Sequence, residues 1–97
     1  MKLTLHPGAE QDLEEAAAFY EREGSAALAA RFIGEFKRLA RLLDQQPGIG
    51  APRAGGRRGF PMSVFPYTVI YRADADEVKV LVVKHDRKRP GYGGART

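Results

Sequence analysis

The rhythm of apolar and polar positions changes several times along the chain, and each change predicts an element. Leu3 and Leu5 alternate with Lys2 and Thr4, the period-two pattern of a short strand. Pro7 closes it and suits the first turn of a helix, where a missing N–H costs nothing. Ala9, Leu13, Ala16, Ala17 and Tyr20 then recur at helical spacing, to about Glu23, before Gly24. Glu10, Asp12, Glu14 and Glu15 crowd the first turns, where the helix dipole favours negative charge. Ser25 is placed to cap a second helix, whose stripe is Leu28, Phe32, Phe36, Leu39 and Leu43, widened by Ala29 and Ala40. Pro47, Gly48 and Gly50 end it. So short a link between two helices makes them an antiparallel hairpin.

Residues 47–56, PGIGAPRAGG, are loop-like by composition. Arg57–Met62 fits a short strand limited by Gly59 and Pro61, and Val64–Arg72 and Glu77–His85 are longer strands joined by the polar turn ADADE. The expected order is β-α-α-β-β-β: an α+β domain over residues 1–97, with the helical hairpin packed on one face of a small antiparallel sheet.

The run VKVLVV at 78–83 alternates only once. Strict alternation sends Val78, Val80 and Val82 to one face and Leu81 and Val83 to the other. Two helices cover one face. The other is expected to be bare and apolar around Leu81 and Val83, beside Tyr67 and Tyr71, and such a patch marks a binding surface. The competing expectation is that the 47–56 loop or the C-terminal tail closes that face.

Charge sharpens this picture. Residues 1–52 carry six Lys and Arg against eight Asp and Glu, a net of −2, whereas residues 53–97 carry ten against four, a net of +6. A basic second half favours an anionic partner, either nucleic acid or an acidic protein segment. There is no cysteine, so disulfides and thiolate metal sites are excluded. No Asp/Glu and His spacing fits a metal, and AGGRRG at 54–59 has no helix after it, which excludes a phosphate-binding P-loop. No metal or other cofactor is expected. The opening turns acidic before a signal-peptide core, and no run approaches membrane-spanning length, so a cytoplasmic location is expected.

Nearly end to end, the chain resembles the RelE/ParE superfamily of bacterial type II toxins. The likeness is carried by His6-Pro7 with Ala9 and Asp12-Leu13, Ala16 with Phe19-Tyr20, and Ala30-Arg31-Phe32 with Leu39, Leu43 and Pro47. It continues through Arg58, Phe65-Pro66-Tyr67 with Val69-Ile70-Tyr71-Arg72, and His85 followed by Lys88, Pro90 and Tyr92. FPYTVIYR and the first helix look more like the ParE branch, which implies binding to DNA gyrase without chemistry and neutralisation by a cognate antitoxin. The RelE branch implies a ribosome-dependent endoribonuclease acting on mRNA, and a third option is a degenerate antitoxin-binding module.

The resemblance implies residue roles that differ by branch. A ribonuclease needs a base, cations for the phosphorane and an acid; His85, Arg58, Arg72, Arg89 and Tyr92 are its candidates. His85 fits equally a hydrogen bond that anchors the tail. An antitoxin would meet Ala17, Tyr20, Leu28, Phe32, Leu81 and Val83, although Leu28 and Phe32 also fit core packing. Arg87, Lys88, Arg89 and Tyr92 would meet the target. The tail departs from the family pattern: Gly93-Gly94 replaces an aromatic residue, Arg89 stands where an acidic residue is common, and Lys88 where an arginine is.

Overall fold

A computed structural model describes residues 2–97. Strand β1 (Lys2–Leu5) leads into helices α1 (Pro7–Glu23) and α2 (Ala26–Gln45). Four more strands follow: β2 (Ala51–Arg53), β3 (Arg57–Pro61), β4 (Tyr67–Ala73) and β5 (Glu77–His85). Both helix starts are capped by side chains. His6 Nδ1 accepts the Gly8 N–H at 2.9 Å, and Ser25 Oγ accepts the Leu28 N–H at 3.0 Å. The expected α+β order of helical hairpin and strands is observed, with one strand more.

The sheet order is β1-β5-β4-β3-β2. Strand β1 runs parallel to β5, with Leu5 opposite Val80, and the other pairs are antiparallel. The sheet is therefore mixed rather than antiparallel. Strand β5 is apolar on both faces, as central strands are, and takes β1 on one side and β4 on the other. The extra strand, β2, lies in the stretch expected to be loop. Its Pro52 is tolerated because β2 is an edge. It turns into β3 through Gly55 and Gly56, at φ +77° and +73°, values open to glycine. Strand β4 begins at Tyr67 rather than Val64, since Pro66 interrupts the run.

A bulge corrects the expected facing of β5. Ile70 pairs with Val82 but Tyr71 pairs with Val80, which leaves Leu81 as the extra residue. The alternation slips by one there. Val78, Val80 and Val83 all face the helices, while Leu81 and Val82 join Ile70 on the opposite face. Val83 was expected with Leu81 and stands on the other side.

The helix-side core contains Phe32, Phe36, Leu39 and Leu43 from α2 and Ala9, Leu13 and Ala16 from α1. At its end Phe32, Phe65 and Tyr67 meet Tyr20, with ring centroids 5.0–6.3 Å apart.

Candidate functional site

The second face of the sheet is not bare. Leu81 and Val83 are 0% and 2% exposed, and residues after His85 fold back over Ile70, Leu81 and Val82 through Tyr92. The expectation of an open apolar patch is thus corrected, and closure by the tail is what the chain does. Gly93, at φ +76°, lies so close that a Cβ would come 2.5 Å from a Val82 methyl. Only glycine gives both that conformation and that approach.

What holds the tail is polar. Strand β1 ends at Leu5, opposite Val80, so the outer edge of β5 is open beyond it. Asp12, projecting from α1 and 6% exposed, accepts the Val83 N–H at 3.0 Å. Arg96 donates to the Leu81 carbonyl at 3.0 Å and to the Asp12 carboxylate at 2.7 Å. Together the two side chains satisfy edge groups that a longer β1 would have paired. The Tyr92 hydroxyl donates to the other Asp12 oxygen at 2.5 Å and accepts from Arg96 at 3.2 Å. The Asp12 bond, then burial, raises the Tyr92 pKa above its ordinary value, and the Asp12 bond also raises that of Arg96. Arg57 pins the tail from β3, donating to the carbonyls of Gly93 and Gly94 at 3.2 Å and also to that of Arg96.

Between α1 and β5 lies an open cleft of about 190 Å³, lined by Ala16, Phe19, Tyr67, Val83, His85 and Lys88 among others. Phe19 is 47% exposed at its rim. His85 packs edge-on to Tyr67, centroids 5.2 Å apart, and its Nδ1 accepts the Arg87 N–H at 3.0 Å. The histidine anchors the turn that starts the tail.

The candidate ribonuclease residues do not gather. His85 and Tyr92 line the cleft, and Arg72 and Tyr92 line a second cavity on the tail side. Arg58 is occupied elsewhere, donating to the carbonyls of Gly48 and Gly50 at 3.3 and 2.9 Å. Arg89 is exposed in the turn after β5. Of the candidate antitoxin contacts, Phe32 is fully buried in the core, Leu81 lies beneath the tail, and Val83 lines the cleft. Ala17, Tyr20 and Leu28 are half-buried near the helix junction. Of the candidate target contacts, Arg87, Lys88 and Arg89 are exposed, and the Lys88 ammonium sits 4.9 Å from the Tyr92 ring centroid.

Sequence reasoning missed Asp12, Arg57 and Arg96. Asp12 left a signal: it falls three residues after Ala9 and four before Ala16, on the apolar stripe of α1, where a carboxylate needs partners. Arg57 and Arg96 left none. Among the described residues, no group of three His, Asp or Glu side chains is placed to hold a metal, and no helix is long and apolar enough to cross a membrane.

The fold is shared with a solved chain described as "Chromosomal ParDE TA system from P. aeruginosa", at a TM-score of 0.78 and 20% identity, covering 88% of this chain and 95% of that one. No curated protein matches. The family model for the "ParE toxin of type II toxin-antitoxin system, parDE" matches residues 3–90, a span that includes Asp12 and His85 and stops before Tyr92 and Arg96. With nearly the whole chain matched, it belongs to the ParE toxin family of type II toxin–antitoxin systems.

Proposed function

We propose that this chain is the toxin subunit of a ParDE-type pair, that it inhibits DNA gyrase by binding it, and that a cognate antitoxin neutralises it. The family match over residues 3–90 carries the reading. Geometry supports binding over RNA cleavage: neither cavity holds more than two of the five ribonuclease candidates, and His85 is engaged in anchoring a turn. Exposed Arg87, Lys88 and Arg89 offer the target a cationic tip on the end of β5. For the antitoxin, the cleft beside α1 has an apolar wall at Phe19, Tyr67 and Val83 and a cation at Lys88. An extended segment with an apolar anchor next to an acidic residue fits that chemistry.

The test is a supercoiling assay with purified gyrase. Wild-type protein and His85→Asn, which keeps an acceptor for the Arg87 N–H but cannot serve as a base, should inhibit equally, and Arg87→Ala/Arg89→Ala should inhibit less, with antitoxin restoring supercoiling. Untouched gyrase together with mRNA cut at the ribosomal A site would transfer the reading to the ribonuclease branch. Antitoxin binding without either effect would leave a binding module.

A further inference from the structure

Arg53, Arg57, Arg72 and Lys79 stand in one row across four strands. Arg53 is opposite Arg57, and Arg72 is opposite Lys79. Arg58 opposite Tyr71 brings Arg57 beside Arg72. At the usual strand spacing the row is roughly 14 Å long. Like charges opposite one another across strands destabilise a sheet; no Asp or Glu side chain offsets these, and Lys79 at the end of the row donates to the Thr97 oxygen at 2.9 Å, which leaves the three arginines without an anionic side chain. Three ion pairs form among the described residues, and none includes a member of the row.

Three of the four, Arg53, Arg57 and Arg72, line a cavity of about 380 Å³ together with Arg96 and Ile70. No Asp or Glu side chain lines it. Neutral carbonyls hold the guanidinium groups in place: those of Gly93 and Gly94 take Arg57 at 3.2 Å, and that of Gly55 takes Arg72 at 3.5 Å. Arg96 already shares Asp12. The Arg57 pKa is lowered, first by burial and then by Arg72, Arg53 and Arg96. An anion in the cavity would relieve that repulsion.

We propose that this arginine slot is a binding site for phosphoryl groups. A phosphoryl group presents several oxygens to several guanidinium forks at once, whereas a side-chain carboxylate satisfies one fork. The row also crosses the strands on a sheet face, so an extended acidic peptide finds no open backbone edge along it. The cavity volume suits a ligand of nucleotide size. The proposal does not depend on which target the toxin has.

The test uses the full chain and fluorescence anisotropy with a short labelled single-stranded DNA, competed by ATP, sodium phosphate and a polyglutamate of equal charge. DNA should bind in a salt-dependent manner. Arg53→Gln/Arg72→Gln should weaken it about tenfold or more, because two charge-assisted hydrogen-bond donors to phosphate are removed, while Arg41→Gln on the exposed side of α2 leaves it unchanged. Competition by ATP or phosphate supports the proposal and assigns the site to a small phosphate ligand. DNA binding that neither competes supports it and assigns the site to the nucleic-acid backbone. The proposal is overturned if no phosphate-bearing probe binds, if polyglutamate binds as tightly as DNA, or if the double variant binds like wild type. Without ligand, the double variant should melt a few degrees higher because the row is relieved. An unchanged or lower melting temperature would also overturn the premise of unmet charge.

Discussion

The two faces of the sheet are closed by different means. Toward α1 and α2, closure is apolar: Phe32, Leu43, Val69, Val78 and Val80 are fully buried in one cluster. Such burial is non-directional and grows with area. Toward the tail, the apolar cluster among the described residues is smaller: Ile70, Leu81 and Val82, with Tyr92 packed against them. Closure there depends on Asp12, Arg57, Tyr92 and Arg96, whose bonds are directional and fail if one partner is lost. One face is the scaffold and the other is a cover fastened to it. The cover can be lost without the scaffold.

The largest effect belongs to the scaffold. Phe32→Ala leaves a cavity among Tyr20, Phe65 and Tyr67, and a loss of about 3–5 kcal/mol is expected for a buried Phe. That is a large share of the ~5–15 kcal/mol typical of a domain. Urea unfolding followed by circular dichroism should show a lower midpoint, with helix and tail lost in one transition. A tail that outlasts the helices would mean the cover does not rest on the scaffold.

Asp12→Ala should act mainly on the cover. It strips Arg96 of its anion and leaves the Val83 N–H without an acceptor. Breaking a buried pair costs about 3–5 kcal/mol, but the tail can undock and rehydrate Arg96, so the expected loss lies near the lower figure. Hydrogen exchange should show amides after His85 losing protection while those of α2 and β4 keep theirs. Equal deprotection of both regions would show that the two closures are one cooperative unit.

This division also tracks what was legible in the sequence. Periodic burial can be read from neighbours a few residues apart, so the stripe of α2, the Ser25 cap and strand β5 were all visible. The bulge at Leu81 was not, because it exists only in the register between β4 and β5. Strand β2 was masked by Pro52 and its glycines, which say turn unless the edge position is known. The bond from Arg96 to Asp12 spans 84 positions and follows no local period. Of that site only Asp12, a carboxylate in an apolar stripe, announced that something had to meet it. The expectation of a bare face followed from counting two helices as the only available cover.

The smallest effect is also the most selective for the cover. The Tyr92 hydroxyl donates to Asp12, a bond that requires the protonated phenol, and its pKa stands raised above the ordinary 10.0. The stabilisation is therefore fully present below about pH 10 and is lost as pH rises through the raised value. Arg96 and Lys88 also face this hydroxyl or its ring; Arg96 favours the phenolate and so opposes release, but the Asp12 bond and burial outweigh it and keep the pKa raised. Tyr92→Phe should weaken tail docking by about 1.5–3 kcal/mol at neutral pH, the value of a hydrogen bond to a charged acceptor. It should then lack the steep alkaline release. Limited proteolysis of the tail across pH 8 to about 11 separates this from the helix face, where burial raises the pKa of Tyr20 and Tyr67. Ionisation of those two should loosen the scaffold, an outcome that near-ultraviolet dichroism follows. If wild type and Tyr92→Phe release the tail over the same pH range as the scaffold opens, the cover has no latch of its own and is held only by the sheet beneath it.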